Sequence, residues 1–414
     1  ILVLKNNKGT EDNRVRRMDY SIQMSKLFYE RFINEEDITL FSPHAVPGLY
    51  DAFGTDKFDA LYKKYEKDKS IPKKTIAAQE LFADLLKERA ETGRIYIMNI
   101  DHSNSHSSFK DKVSMSNLCQ EITLPTTPIK GIDDPDGEIA LCILSAINVG
   151  AIGNLNELET LCDLSVRALD EIIELQDYPV KAAEVSTKSR RSLGIGYIGL
   201  AHYLAKNGVK YSDPKAWELV DRLSEAFQYY LLRASCDIAE EKGKCSAFDR
   251  TKYADGLLPI DHYKKEVDEI VVHKQRMAWE TLRKDILKYG LRHSTLSAQM
   301  PSESSSVVSN ETNGIEPPRA LLSIKKSKKG PLKQIVPGFP NLKNAYTLLW
   351  DMGSNEGYIK IVSVMQKYFD QAISGNWSYN PLQFENNEVP LSVMAQDMLM
   401  AYKYGWKTSY YQNT

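Results

Sequence analysis

The spacing of apolar residues predicts a mainly helical chain with short strands between the helices. Apolar side chains that recur about every 3.6 residues lie on one face of a helix. This spacing predicts helices at 15–33, 74–91, 154–176, 213–242, 356–373 and 391–404. Short runs rich in strand-forming residues predict strands at 1–5, 95–100, 139–144 and 406–412. The mixture predicts the α/β or the α+β class without an obvious domain boundary.

Two polar segments separate these elements. Residues 133–137 read Asp-Asp-Pro-Asp-Gly, which is typical of a turn. Residues 325–330 are rich in lysine and end in glycine, which predicts a hairpin tip or a solvated loop. A nucleic-acid patch at these lysines is the weaker interpretation.

Composition narrows the class of protein. The net charge is -2 over 414 residues, so nothing indicates a polyanion such as nucleic acid as a partner. No apolar run reaches the ~18 residues of a membrane-spanning helix, and no secretory signal is recognisable. We therefore expect a cytoplasmic location and no membrane partner. The five cysteines are odd in number and widely spaced, which favours reduced thiols over disulfides or a zinc site: Cys119, Cys142, Cys162, Cys236 and Cys245.

Candidate chemistry begins in the segment 116–122, Ser-Asn-Leu-Cys-Gln-Glu-Ile. In an extended segment, Asn117, Cys119 and Glu121 would share one face. That face would offer an amide to orient a ligand, a thiol for one-electron or nucleophilic chemistry, and a carboxylate to take a proton. Taken alone, the pattern favours a structural cysteine in a half-buried strand.

The glycines of residues 194–199 have the spacing Gly-x-Gly-x-x-Gly that is found in dinucleotide sites. Such a turn follows an apolar strand, whereas a polar, basic segment precedes this one. We interpret the glycines as a helix surface that allows close packing.

Residues 301–306, Pro-Ser-Glu-Ser-Ser-Ser, form a hydroxyl-rich segment ahead of a predicted helix start. A helix start presents free N–H groups, which favour a phosphate. An ordinary N-cap is the alternative. The run of hydroxyl and carboxyl residues exceeds what a cap needs, and the two interpretations are evenly balanced.

Two further pairs of residues remain open. Tyr410 and Tyr411 are adjacent in a predicted strand, where packing is the simpler interpretation and a redox pair is the alternative. His102 and His106 are four residues apart but lie in a loop-like segment without a third ligand. We expect these histidines to be structural, and we predict no metal site.

Five segments together resemble the large catalytic subunit of class I ribonucleotide reductase, of the enterobacterial and T-even phage type. The resemblance runs in order from Ile1 to Thr414. The segments are 116–122, 137–142, 300–306, 313–319 and 410–413. The resemblance implies a ten-stranded α/β barrel, built from two five-stranded halves, with Cys119 on a central finger loop.

The resemblance also implies residue roles in the reduction of ribonucleoside diphosphates. Cys119 would form the thiyl radical, Glu121 would take the 3′-hydroxyl proton, and Asn117 would bind the substrate. Cys142 would be one of two reducing thiols. The loop Pro301, Ser302, Glu303, Ser304 and Ser305 would hold the substrate diphosphate, with Asn117, Cys119 and Glu121 completing the substrate site. Tyr410 and Tyr411 would relay oxidising equivalents to Cys119.

The partners follow from the same resemblance. A metal-containing small subunit would supply the radical, and a thioredoxin or glutaredoxin would supply electrons, so the chain itself would bind no cofactor. The family's second reducing thiol, ATP cone, specificity loops and cysteine-bearing tail have no counterpart in residues 1–414. We therefore expect the C-terminal portion of a cut or split large subunit, inactive without an N-terminal portion. A cysteine-nucleophile hydrolase and a non-catalytic scaffold are the alternatives.

Overall fold

Short strands alternate with helices in the computed structural model, which describes residues 19–327 and 330–414. This alternation confirms the α/β class. The strands are Tyr20–Met24 (β1), Asp37–Phe41 (β2), Lys73–Ala77 (β3), Ile95–Asn99 (β4), Leu144–Asn148 (β5), Gly194–Ile198 (β6), Leu322–Ser327 (β7), Gly330–Ile335 (β8), Trp377–Ser378 (β9), Thr408–Ser409 (β10) and Gln412–Asn413 (β11). The helices are Lys26–Ile33 (α1), Leu49–Ala52 (α2), Phe58–Lys67 (α3), Ala78–Thr92 (α4), Ile100–Ser105 (α5), Glu157–Leu175 (α6), Lys181–Arg190 (α7), Leu200–Lys206 (α8), Pro214–Lys242 (α9), Pro259–His262 (α10), Trp279–Tyr289 (α11), Glu303–Val308 (α12), Glu356–Gln366 (α13) and Leu391–Lys403 (α14).

The extended segments that carry the candidate site lie next to one another in space. Strand β5 runs parallel to β6, and β6 is bridged in parallel to the segment at Ser297. That segment is bridged in parallel to Ile373, through Gln299. On the far side, β10 pairs antiparallel with β4, and β4 pairs in parallel with β1. The ten-stranded barrel itself stays a prediction.

The main core lies between these segments and three long helices, α6, α9 and α13. Helix α6 buries one face, as the 3.6-residue spacing predicted, whereas α13 is buried on almost every side. A smaller apolar cluster packs directly under the Cys119 segment and includes Met98, Phe109, Ile122 and Ala298. This cluster gives the candidate site a rigid base.

The predicted helix at 15–33 is wrong in its first part. Residues 20–24 form β1, which pairs with β4, and the helix begins only at Lys26. Pairing with a distant strand overrides the local spacing here. The predicted strand at 1–5 lies outside the described residues.

The glycine-rich segment is a buried strand, so its interpretation as a helix surface is wrong. Gly194 and Gly196 lie within β6, and Gly199 begins α8 with φ +81°. A Cβ on Gly196 would lie 2.6 Å from the carbonyl oxygen of Ala298. The expected close packing therefore holds, but it joins neighbouring extended segments.

Other element boundaries differ from the predicted ones, because contacts with distant residues decide where these elements begin and end. The strand predicted at 139–144 lies at Leu144–Asn148, and the helix predicted at 356–373 ends at Gln366. Residues 406–412 contain β10 and the start of β11 instead of one strand. The turn at 133–137 is present, since Asp134 accepts from the backbone N–H groups of Lys130 and Asp136. Strands β7 and β8 form the expected antiparallel hairpin, whose tip at 328–329 lies outside the described residues.

Candidate active site

Cys119 lies in a tight turn that its own neighbours close. The N–H of Gln120 donates to the carbonyl of Asn117 at 3.2 Å, and the N–H of Asn117 donates to the carbonyl of Ile122 at 3.1 Å. The Asn117 side chain also accepts from the N–H of Ile122 at 3.0 Å. Gln120 takes a left-handed conformation, with φ +72°. The turn therefore holds the thiol of Cys119 at its apex.

The expected extended conformation of residues 117–121 is thus wrong. A short polar segment can close a turn through hydrogen bonds of its own backbone and side chains. Asn117, Cys119 and Glu121 nevertheless lie close together, because the turn brings alternate residues to one side, as a strand would have done.

Asn117 connects the turn to the second candidate thiol. Its Nδ2 donates to the Sγ of Cys142 at 3.6 Å. Cys142 is exposed and Cys119 is half-buried. The segment that holds Cys142 leads directly into β5, whose only partner among the described residues is β6. Cys142 consequently stands beside an open strand edge.

Glu121 is buried and held from the opposite side by Ser374. The Ser374 hydroxyl donates to Oε2 of Glu121 at 3.1 Å and also to the backbone carbonyl of Cys119. The N–H of Ala372 donates to the carbonyl of Glu121 at 3.0 Å. Burial raises the pKa of Glu121 above its usual value, while the hydrogen bonds from Asn117 and Ser374 oppose the rise. A carboxylate in this state is a better base near neutral pH than an exposed one.

The two tyrosines reach the cysteine from the C-terminal strands. The Tyr410 hydroxyl donates to the Sγ of Cys119 at 3.5 Å. The rings of Tyr410 and Tyr411 are 4.1 Å apart and tilted by 50°. The buried ring of Tyr96 touches both, at 4.7 and 5.4 Å. Three phenols and a thiol thus form a continuous contact series.

Both candidate thiols are held in the protonated form. Burial raises the pKa of Cys119, and the nearby charge of Glu121 adds to the rise against the hydrogen bond from Tyr410. Although Cys142 is exposed, the protein atoms around its sulfur partly desolvate it and raise its pKa, again with Glu121 adding to the rise. Burial and contact with Cys119 raise the pKa of Tyr410. Neutral S–H and O–H groups suit transfer of a hydrogen atom, whereas nucleophilic attack needs a thiolate.

The hydroxyl-rich loop begins where the segment through Gln299 ends. Ser374 donates its N–H to the carbonyl of Gln299 at 2.9 Å, so the loop starts beside the residue that holds Glu121. Ser302 is left-handed, with φ +51°, and precedes α12. Glu303, Ser304 and Ser305 are exposed, and Pro301 is half-buried. The exposed first turn of α12 has N–H groups free for a ligand.

Sequence reasoning missed Tyr96 and Ser374. Neither belongs to a spaced motif, and only strand pairing brings them to Cys119. His102 and His106 do not lie in a loop: His102 is in α5, and His106 follows it. Each ring nitrogen contact goes to a backbone carbonyl, of Trp406 and Pro259 respectively, as expected of structural residues.

The described residues contain neither a metal-binding cluster nor a membrane-spanning helix. Residues 19–327 and 330–414 contain no group of three or more His, Cys, Asp or Glu side chains placed to hold a metal ion. In the same part of the chain, every helix is too short or too polar to cross a membrane.

Comparison with known families identifies the family of the chain. The family described as "Ribonucleotide reductase, barrel domain" matches residues 1–345 and 339–412. The chain belongs to this family.

The relatives are the alpha subunits of ribonucleoside-diphosphate reductase. The chain is 58% identical to that of Haemophilus influenzae, 55% to the subunit 1 alpha of Escherichia coli and 43% to that of Enterobacteria phage T4. Each comparison covers 100% of this chain and 55% of the relative. The chain therefore spans about half the length of these relatives.

Proposed function

We propose that this chain is the C-terminal portion of a reductase that converts ribonucleoside diphosphates to deoxyribonucleoside diphosphates by radical chemistry. The observation that carries the proposal is the contact of the Tyr410 hydroxyl with Cys119 Sγ at 3.5 Å, with Glu121 and Cys142 around the same turn. The names of the relatives support the substrate class.

In the proposed reaction, an oxidised Tyr410 takes the hydrogen atom of the Cys119 thiol. The resulting thiyl radical takes the hydrogen atom from C3′ of the ribose, and Glu121 takes the 3′-hydroxyl proton. The 2′-hydroxyl leaves as water with a proton from one of the two reducing thiols, the other thiol hydrogen goes to C2′, and Glu121 returns its proton to the 3′-oxygen. Cys142 and a second thiol supply two electrons and become a disulfide, and Cys119 returns its hydrogen atom to C3′.

The pKa directions favour this reaction over a cysteine hydrolase. A nucleophilic cysteine has a lowered pKa and a histidine partner. Burial instead raises the pKa of Cys119, and its side-chain partner is Tyr410. His102 and His106 bind backbone carbonyls elsewhere.

Four partners complete the proposal. An N-terminal portion would supply the second thiol and would add to the open edge of β5, beside Cys142, completing a ten-stranded barrel around Cys119 on its finger loop. A metal-containing small subunit would oxidise Tyr411, which lines a 380 Å³ cavity. The loop 301–305 would hold the substrate diphosphate. A thioredoxin or glutaredoxin would reduce the disulfide.

The test uses the chain mixed with an N-terminal portion, the small subunit and a dithiol. Tyr410→Phe and Tyr411→Phe each remove one hydroxyl, and phenylalanine is not oxidised at accessible potentials. We expect either change to abolish nucleotide reduction and leave substrate affinity nearly intact. Tyr404→Phe is the matched control, because the Tyr404 hydroxyl contacts two exposed side chains, Glu269 at 3.3 Å and Lys403, and no residue of the proposed site.

Substantial turnover by either relay variant would remove the tyrosine pair from the mechanism. Cys119→Ser should abolish turnover as well, since an alcohol O–H is too strong to replace the thiol. A scaffold would keep its partners and lose no activity in any of these variants. Robust multiple turnover by the chain with the small subunit alone would contradict the need for an N-terminal portion.

A further inference from the structure

A cavity of 260 Å³ lies on the far side of the elements that carry the active site. Its walls come from α5, from residues 262–267 after α10, and from the last turn of α13. Three histidines and three lysines line it: His102, His106, His262, Lys264, Lys265 and Lys367. None of these residues has a role in the proposed reaction.

His262 is the residue of this cavity whose ring nitrogens lack hydrogen-bond partners in the described part of the chain. Neither Nδ1 nor Nε2 of its ring has a hydrogen-bond partner, and both atoms are buried. Its ring meets that of His106 edge-on at 5.1 Å. A neutral imidazole carries one donor and one acceptor, and buried polar atoms normally have partners. The ring therefore has an N–H group to offer to an acceptor in the cavity.

The lysines around the cavity give it an excess of positive charge. Lys265 lies 3.5 Å above the ring of Tyr263 and reaches the carbonyl of Ile260 only at 3.4 Å. Behind the wall, Lys252 and Lys407 donate to backbone carbonyls. In the described part of the chain, none of these three lysines forms an ion pair with a carboxylate, and burial lowers the pKa of each, that of Lys252 to about 8.

The carboxylates near the cavity are already engaged. Glu266 pairs with Lys264 at 3.2 Å. Asp268 pairs with Lys367 at 2.9 Å and accepts from the Tyr263 hydroxyl at 2.7 Å.

Asp261 of α10 pairs with Arg283 at 2.7 Å, so its charge is largely compensated there. Burial, together with the charges of Lys252 and Lys407, lowers the pKa of His262 to about 3 against the opposing charge of Asp261. An anion in the cavity would balance these lysines.

We propose that this cavity binds a phosphate group, with the His262 ring N–H and the Lys265 ammonium as its main donors. Phosphate offers several acceptor oxygens and two negative charges, which match one neutral N–H group and an unpaired ammonium. The cavity volume suits inorganic phosphate or the phosphoryl end of a phosphomonoester. This inference does not depend on the reductase reaction.

The experiment measures inorganic phosphate binding by the purified chain, by equilibrium dialysis and through the ring resonances of ¹⁵N-labelled histidine. We expect the His262 and His106 resonances to shift at millimolar phosphate, and the pKa of His262 to rise when phosphate is bound. His262→Phe and Lys265→Met should each weaken binding about tenfold, the loss of one charged or buried hydrogen bond. Glycerol 3-phosphate tests the source: tighter binding than phosphate identifies a phosphomonoester, and equal binding identifies the free ion.

Two controls separate this cavity from other sites. Lys288 lies over Tyr289 at 4.3 Å, much as Lys265 lies over Tyr263, but it does not line the cavity. Lys288→Met should bind phosphate normally. Ser304→Ala with Ser305→Ala alters the candidate diphosphate loop and should leave the His262 shifts unchanged. Absence of any His262 shift, or equal affinity of the wild type, His262→Phe and Lys265→Met, would overturn the proposal. Lys265→Gln serves as the second variant if Lys265→Met does not fold.

Discussion

The buried ion cluster around Arg190 should control how firmly the two cysteine segments are held. Arg190, at the end of α7, is 1% exposed and donates to both carboxylate oxygens of Glu138, at 2.8 and 2.9 Å. It also binds Asp111 at 2.9 Å. Asp111 precedes the Cys119 turn, and Glu138 precedes Cys142. One guanidinium thus ties together the two segments that carry the candidate thiols.

Arg190→Met keeps much of the side-chain volume and removes the charge. Breaking a buried ion pair typically costs 3–5 kcal/mol, because a buried charge is left without its partner. Arg250 partly compensates, since it contacts Asp111 at 2.8 Å and Glu138 at 3.3 Å. We therefore expect the free energy of unfolding to fall by about 3 kcal/mol, the lower end of that range. Urea unfolding followed by circular dichroism measures it.

The same variant should change the reactivity of Cys142. Burial and the charge of Glu121 raise the pKa of the Cys142 thiol in the intact site. Loosening the segment returns the pKa toward its usual value, so more thiolate is present near neutral pH. Iodoacetamide should then alkylate Cys142 faster in Arg190→Met than in the wild type, as read by mass spectrometry.

Arg191→Met is the matched control. Arg191 is also buried, but it binds Asp170 and Glu174 of α6, at a distance from both cysteine segments. The Arg191→Met variant should have a lower free energy of unfolding and an unchanged rate of Cys142 alkylation. Unchanged alkylation in Arg190→Met, or an equal increase in Arg191→Met, would refute the positioning role of Arg190.

Three further predictions concern the same region. Burial raises the pKa of Glu316 to about 7, so the folded state binds an extra proton between about pH 4.5 and 7. The free energy of unfolding should therefore fall as the pH rises through this range. Urea titrations at several pH values should show a flatter dependence for Glu316→Gln. Gly196→Ala should cost about 1–3 kcal/mol by overpacking against Ala298, and a thermal unfolding midpoint equal to wild type would contradict this. In the reconstituted enzyme, Cys142→Ser should permit attack at C3′ but end in release of the nucleobase and loss of the small-subunit radical, and normal deoxynucleotide formation would exclude Cys142 as a reducing thiol.

The sequence by itself determined the long helices and the chemical residues. Helices 154–176, 213–242 and 391–404 were predicted within about three residues, because the spacing of apolar side chains is a local property. The residues with reactive side chains could also be singled out, because residue type is read directly from the sequence. Their roles came from the resemblance of whole segments to a family, and the family itself is confirmed by the comparisons.

Only the tertiary structure decided which of these residues meet. Residues 20–24 are a strand because β4 pairs with them, and 194–198 are a strand because β5 and the segment through Ser297 lie on either side. The contacts of Ser374 with Cys119 and Glu121 depend on hydrogen bonds between distant segments. Pairing of β10 with β4 sets Tyr96 against the rings of Tyr410 and Tyr411. Such pairings join residues far apart in the chain, so no local pattern of hydrophobic and polar positions can specify them.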